Sequence, residues 1–483
     1  MEDFRPVGYV IGLLVASLGL TMLAPLLSDL VAGNGHWPVF LQSALITGLC
    51  GCLTSLACAN GAGQGLTLRQ TFLIVTSVWL ALPAFGAIPF IIGATNLPLV
   101  DAFFEAMSAL TTTGSTVLGG LEALPEGLKL WRGIMQWLGG IGVIVFAMVF
   151  LPELRVGGMQ IFRSEAFDTM GKILPRATEI ASQISVIYVG LTLACALAYN
   201  AAGQSTFDAL VHAMTTVATG GMANYDGSFG ALGAGSQYIA ATFMMLAALP
   251  FVRYVQLLNG SAAPLWRDSQ IRGFFLTLAV LVAAMTLWLW QTQPEGATEE
   301  SFRGALFNVT SIITGTGYAS ADYMLWGSFA VTMFFFIGLI GGCAGSTACS
   351  VKIFRYQLLF AAIRTQIRRI HTPNGIFQPT YEGRLVDDDV INSVMAFFVA
   401  FFFTVALVAL ALGLTGLDFT TSVSGAATAV ANVGPGLGEI IGPAGNFQPL
   451  NDTAKWILSF AMLLGRLEIM AVFTILSLNF WRA

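Results

Sequence analysis

Of 483 residues, 56% are hydrophobic and only 10% charged, where a soluble domain carries about 25% charged residues. That balance excludes a soluble enzyme or a nucleic-acid-binding domain and points to a membrane protein. The net charge of −5 says less than the placement of the charges.

Taken in chain order, apolar stretches of about 20 residues, long enough to cross a bilayer as helices, lie near 7–30, 37–59, 70–93, 132–151, 178–200, 236–258, 273–291, 327–341 continuing to 370, 389–413 and 453–480. The first is too long for a signal-peptide core, its flank is mixed (Glu2, Asp3, Arg5) and no small-x-small cleavage site follows, so it reads as a retained span. Between these runs lie four apolar stretches too short to span, 101–113, 206–219, 302–316 and 418–432, the length of re-entrant segments. If the N-terminus is inside and these four dip in from outside, only Lys129, Arg132, Arg303 and Lys455 fall outside. Of the other 17 Lys and Arg, Arg466 lies within a span and the rest, from Arg5 and Arg69 to Lys352, Arg355 and Arg482, fall on the cytoplasmic side, the expected bias.

The six cysteines (Cys50, Cys52, Cys58, Cys195, Cys343 and Cys349) sit in apolar or Gly/Ala-rich sequence without metal-ligand spacing and are expected to be buried small side chains. His36, His212 and His371 are too scattered for a metal site. No HExxH, GxSxG, or His or acidic pair within a span suggests an enzyme.

The short segments repeat. Each ends in a glycine, Gly114, Gly221, Gly317 and Gly434, separated by 107, 96 and 117 residues, the size of a helix–loop–helix unit. Six positions earlier stand Ser108, Thr215, Ser311 and Thr428, and acidic residues open three of the segments (Asp101, Asp208, Asp418). The candidate ion-binding residues are Thr112, Thr113 and Gly114; Thr219, Gly220 and Gly221; Gly315, Thr316 and Gly317; and Asn432, Val433 and Gly434. Singly, each tip is also consistent with an ordinary glycine turn. Four around one axis would present rings of backbone carbonyls, the chemistry that replaces a cation's water shell, with the negative ends of the short helices aimed at the same place.

Several runs resemble one family: Thr-Thr-Thr-Gly-Ser-Thr (111–116), Gln-Trp-Leu-Gly-Gly-Ile-Gly (136–142), Gly-Gly-Cys-Ala-Gly-Ser-Thr (341–347), Asn-Val-Gly-Pro-Gly-Leu-Gly (432–438) and Gly-Arg-Leu-Glu (465–468). They look like the TrkH-type membrane subunit of bacterial Trk potassium uptake systems, in the Trk/Ktr/HKT superfamily. The resemblance implies an all-α polytopic membrane protein with four pseudo-repeated helix–pore loop–helix units around one pore, plus two N-terminal transmembrane helices. The corresponding divisions are 1–68 for the two N-terminal helices, then pore units at 69–177, 178–270, 271–385 and 386–483. It further implies K⁺ as the transported ion bound at the filter, no organic cofactor, a homodimer with one pore per subunit, a cytosolic nucleotide-binding regulator of the TrkA type, and a bacterial inner-membrane location with a cytoplasmic N-terminus. Two departures stand out. Gly315 replaces the usual Thr of the third tip, which bears on ion preference; Ala348-Cys349-Ser350 replaces frequent glycines, which bears on gating.

The second span of the third unit is interrupted by ten small residues, 341–350. They form either a tight small-residue helix crossing or an intramembrane loop that obstructs the pore, with Gly341, Gly342, Gly345, Ser346, Thr347 and Lys352 as gating candidates. Arg466, near the middle of the last span, costs roughly 2.5–3.5 kcal/mol to insert, so it should face protein or water. It is either half of a structural ion pair or a pore-facing charge that raises the barrier to cations. A different class remains as an alternative: a secondary transporter moving a small solute by alternating access, which uses inverted repeats and broken helices.

Overall fold

The computed structural model describes residues 3–61, 67–149, 158–159, 177–292 and 298–482. Arg155, Arg163, Lys172 and Arg176, part of the expected cytoplasmic charge, lie outside the described residues. Apart from a hairpin pairing Thr380–Tyr381 with Arg384–Leu385, the regular elements are helical. Among the described residues, six helices are long and apolar enough to cross a membrane: Arg5–Ala32, Trp37–Ala57, Arg69–Ile92, Ala181–Ala201, Ser269–Thr292 and Asp388–Leu414. Only 28–33% of the most apolar window of each is buried. The remainder is apolar surface of a kind that lipid covers and water does not. The chain is a multi-pass membrane protein.

Of the other expected spans, the one near 132–151 is carried by the continuous helix Glu126–Val149; the remaining three are present but not as straight helices. Ala234–Ala247 and Phe251–Leu258 meet at 88°, and Asp452–Arg466 and Ile469–Leu476 at 109°. The first bend falls at Pro250, whose ring and missing N–H oppose helix continuation. The second falls at Leu467 and Glu468, the latter in the left-handed region at φ 57°. Ser328–Ile337 stops at Gly338, and helix resumes only at Ile353–His371. Arg466 therefore ends a helix at a sharp bend within this broken span.

The four short helices are Leu99–Leu110, Thr206–Val217, Glu299–Ile313 and Phe419–Ala431. At 1.5 Å per residue they reach about 18–23 Å, short of the ~30 Å hydrocarbon core. Their acidic openings are explained by helix capping. Asp418 is itself an N-cap, accepting from the Thr421 N–H; Ser205 and Thr298 cap the second and third, with Asp208, Glu299 and Glu300 in the first turns, and Asp101 lies in the first turn of the first. Negative charge at these ends complements the helix dipole.

Arg5–Thr21 and Trp37–Ala57 touch backbone to backbone: a Cβ on Gly12 would lie 2.8 Å from the Gly51 carbonyl oxygen, and one on Gly51 2.7 Å from that of Gly12, the close approach that small residues permit in membranes. This register also corrects an expectation about cysteines. The buried stripe of Trp37–Ala57 is Phe40, Ser43, Thr47, Gly51 and Ser55, so Cys50 and Cys52 fall off it and are exposed, Cys58 is partly so, and only Cys195, Cys343 and Cys349 are buried.

Some of the counted charges are not surface charges. Arg132 and Lys455, expected on the outer side, are buried and paired with Glu105 at 2.8 Å and Asp101 at 2.6 Å. Arg355, expected as a cytoplasmic charge, is buried against Glu468 at 2.6 Å, its guanidinium 3.7 Å from the Phe397 ring centroid.

Candidate functional site

The four tips are built alike. Two residues before each tip glycine, the backbone turns left-handed: Thr112 at φ 53°, Thr219 at 50°, Gly315 at 77° and Asn432 at 53°. For a non-glycine residue that conformation costs roughly 1–2 kcal/mol, and strain of this kind clusters where backbone geometry is used. Gly315, the departure in the third tip, keeps the geometry without the strain. Gly114, Gly221 and Gly317 are left-handed as well, whereas Gly434 is not.

Each tip is clipped to its own short helix. The carbonyl of the hydroxyl residue six positions before the glycine accepts from Thr113 N–H (Ser108, 2.9 Å), Gly220 N–H (Thr215, 2.9 Å), Val433 N–H (Thr428, 2.9 Å) and, one residue later, Gly317 N–H (Ser311, 3.2 Å). In the first and third units the hydroxyl itself donates to the carbonyl after the glycine, Ser108 to Ser115 at 2.6 Å and Ser311 to Tyr318 at 2.7 Å.

The tips then meet in cyclic order. A Cβ on Gly114 would collide with the Gly220 carbonyl, one on Gly221 with the Thr316 carbonyl, one on Gly317 would lie 2.8 Å from Gly434 N, and one on Gly434 3.1 Å from the Thr113 oxygen. First touches second, second third, third fourth, and fourth first. Side chains stitch the ring further: Gln136 Nε2 donates to the Gly220 carbonyl (2.6 Å) while its Oε1 accepts from Met222 N–H (3.1 Å), Ser115 Oγ donates to the Gly434 carbonyl (2.8 Å), and Asn432 Nδ2 donates to Thr113 Oγ1 (3.0 Å). Gly114, Gly221, Gly317 and Gly434 all line one cavity, with Arg132 and Asp226 among its walls. Nearby, burial pushes the Asp208 carboxyl up, but hydrogen bonds from Asn224, Ser205 and Tyr225 outweigh it and hold the group below the usual carboxylate range.

Residues 341–350 contain no helix. They pack beneath the tips, touching residues that precede three of the four glycines: Cys349 N–H points at the Thr314 carbonyl (3.4 Å), Ser350 N–H donates to Ala431 (2.9 Å), and Cys349 Sγ lies 3.5 Å from Thr112 Oγ1. The loop is also held from the second unit. Cys343 N–H donates to the Ala248 carbonyl, Thr347 Oγ1 to Ala247, and the Gly345 carbonyl accepts from Phe251 N–H. Gly341 to Cys349 are all buried, and within the loop Ser346 Oγ donates to Cys343. Gly341 and Gly342 have no room for a side chain, against the Cys349 carbonyl and Ala348. Lys352 Nζ donates back to the Ala348 carbonyl.

Arg466 reaches this loop, donating to Cys349 Sγ at 3.0 Å and to the Gly139 carbonyl at 3.2 Å. Among the described residues no carboxylate pairs with it. The neighbouring Glu468 is taken by Arg355.

The tips, the loop and Arg466, singled out in sequence, thus converge on one axis of contacts. Sequence reasoning passed over Gln136, the Glu105–Arg132 pair and Glu468. Gln136 opens a quoted motif, so a signal was present. In that motif Gly139 backs onto the Leu110 carbonyl and Gly140 onto Ala218, the ends of the first and second short helices. Likewise Gly465 has space for no side chain against the Val430 carbonyl.

Known proteins share this arrangement. Residues 36–481 match the model of the TrkH family, described as cation transport protein. The chain is 46% identical over its full length, and 98% of the relative's, to Trk system potassium uptake protein TrkI of Halomonas elongata. It is 35% identical over 99% of both chains to Trk system potassium uptake protein TrkH of Escherichia coli. The crystal structure of the potassium transporter TrkH from Vibrio parahaemolyticus superposes with a TM-score of 0.90 at 33% identity, covering all of both chains. These relatives are transporters, not enzymes. The chain belongs to the TrkH family of cation transport proteins.

Proposed function

We propose that this protein takes up K⁺ across the bacterial inner membrane as the membrane subunit of a Trk system, through one pore per chain. The observation that supports it most directly is the closed cycle of contacts among four backbone tips, each followed by a glycine at a common cavity. The names of the full-length relatives agree with it. The residues named as ion-binding act as the selectivity filter: carbonyls of Thr112 to Gly114, Thr219 to Gly221, Gly315 to Gly317 and Asn432 to Gly434 replace water around a dehydrated cation. Their short helices aim negative ends at it. Asp226 and Asp208 lie on the entry side and favour cations there.

Below the filter, residues 341–350 close the path. Their side chains are small, so backbone presses into the lumen. Lys352 tethers the loop from its cytoplasmic end, while Arg466 holds Cys349 and adds positive charge that repels cations. Pore units run over 69–177, 178–270, 271–385 and 386–483 behind two N-terminal helices within 1–68. The N-terminus is cytoplasmic, two chains form a homodimer, and a cytosolic nucleotide-binding partner of the TrkA type moves the loop.

The test is Rb⁺ and Na⁺ flux into liposomes holding the purified protein. Gly434→Ser is the informative variant because its backbone is not left-handed and its Cβ clash is mild. It is expected to lower the Rb⁺/Na⁺ ratio while the protein remains monodisperse. An unchanged ratio in both Gly434→Ser and Gly114→Ser, with both proteins well folded, would remove the carbonyl filter.

A further inference from the structure

A second set of matched hydrogen bonds lies farther from the tips. Three residues beyond each tip glycine, a backbone N–H is captured by a buried side chain of the same unit's short helix. Val117 N–H donates to Glu105 Oε2 at 3.0 Å, Asn224 N–H to His212 Nε2 at 3.1 Å, Ser320 N–H to Asn308 Oδ1 at 3.1 Å, and Leu437 N–H to Ser424 Oγ at 2.9 Å. Glu105, His212 and Asn308 each stand nine positions before their glycine. In the fourth unit that place is Gly425, which has no side chain, and Ser424 one residue earlier does the same work. All four are buried, at 0–2% exposure. Four chemically different acceptors thus make one bond.

We propose that Glu105, His212, Asn308 and Ser424 are positioning residues for ion selection: they hold each outgoing filter strand against its short helix and so fix where the tip carbonyls point. This rests on the filter reading above. The geometry gives the reason. Each strand is fastened to its helix at two levels, by the carbonyl six positions before the glycine and by the side chain at this outer level, so the glycine lies between two anchors. With the outer anchor gone, the strand loses its hold on the short helix three residues beyond the glycine, and the carbonyls can relax around a smaller cation. A merely structural polar contact would not recur at the same backbone N–H in four units using four residue types.

Each acceptor is fixed in turn, so the anchors are not free rotors. Glu105 pairs with Arg132, His212 Nδ1 bonds Gln204 Oε1 at 2.8 Å, Asn308 Nδ2 donates to Gly304 at 2.8 Å, and Ser424 Oγ donates to Thr420 at 2.6 Å. Glu105 is a poor place to test the idea, because its loss also strands Arg132. Asn308 and Ser424 carry no charge partner and are suitable.

The experiment compares Rb⁺/Na⁺ flux ratios of Asn308→Leu and Ser424→Ala with Asn308→Asp, which keeps an acceptor, and with Gly434→Ser as reference. Asn308→Leu and Ser424→Ala are expected to lower the ratio about fivefold, the scale of one buried N–H left without its partner, while Asn308→Asp retains it. If Asn308→Leu accumulates poorly, Ser424→Ala, which removes a single oxygen, still decides. Unchanged ratios in the removal variants, with Gly434→Ser altered, would overturn the positioning role and leave the filter intact. Equal loss in Asn308→Asp and Asn308→Leu would also overturn it. Unchanged ratios in all four, and in Gly114→Ser, would remove both readings.

Discussion

The ring of tips and the loop beneath it are both buried, both rich in glycine and both irregular in backbone, yet they are held in opposite ways. Every tip is bonded chiefly to the short helix that delivers it, within 13 residues of sequence: Thr113 to Ser108, Gly220 to Thr215, Gly317 to Ser311, Val433 to Thr428. The loop is bonded to its surroundings across the molecule, to Ala247, Ala248 and Phe251 of the second unit, Thr314 of the third, and Ala431 and Arg466 of the fourth. A locally fastened element keeps its shape when units shift against one another. An element fastened to several units follows their relative positions. On the proposed reading, filter and gate can therefore occupy adjacent levels of one path, the first rigid and the second movable.

Three perturbations probe that difference, beginning with the most severe. Deleting Gly345 to Cys349 removes most of the distributed contacts and none of the local ones. Rb⁺ flux is expected to rise by about tenfold, a modest population shift toward the open state, with the Rb⁺/Na⁺ ratio unchanged. A fall in flux from a normally inserted protein would make the segment a structural crossing. Next, Arg466→Gln removes the charge and the bond to Cys349 without leaving a carboxylate unpaired. An increase of about fivefold in uptake per molecule is expected, the scale of one charge-assisted hydrogen bond, with detergent-extracted yield little changed. Reduced yield without gain in uptake would end the barrier role.

The smallest effect concerns the two departures together. A Cβ on Gly315 would sit 2.9 Å from Cys349 Cβ and 3.2 Å from its backbone N, so Cys349 takes the space that a side chain at Gly315 would need. Gly315→Thr alone should crowd the loop and raise basal flux about twofold, and adding Cys349→Gly should restore it. Contacting residues couple by about 0.5–3 kcal/mol in such cycles. Additive effects, read as basal Rb⁺ leak in the single and double variants, would show that the two positions are independent.

Much of this was legible in the chain itself. Spacing of the four glycines located the tips, the hydroxyl residues six positions before them proved to be the clip points, and a ten-residue run of small side chains within an apolar span marked the loop. Polar residues nine positions before three of the glycines were visible too, but nothing in one dimension says which N–H they capture. The 109° bend at Arg466 was not legible, because hydropathy does not register a change of helix direction. Pairing of Arg355 with Glu468, 113 residues apart, carries no local signature. Cys50 and Cys52 were misplaced because burial of a helix in lipid depends on which stripe meets a neighbour, and here that stripe is Ser43, Thr47, Gly51 and Ser55.

What the sequence by itself determined was everything that depends on composition and period: a lipid-borne helical chain, four short segments incapable of spanning, and a repeated glycine that frees the backbone at each tip. Those follow from transfer of side chains out of water and from local backbone sterics, which neighbours along the chain decide. Only the tertiary structure decided which tip touches which, that the loop rests on Thr112, Thr314 and Ala431, and that Arg466 reaches a thiol and a carbonyl and not an acid. Those are contacts between residues far apart along the chain. They arise when four units close on one another, because some buried polar groups, such as Ser115 and Asn432, then find partners on another unit.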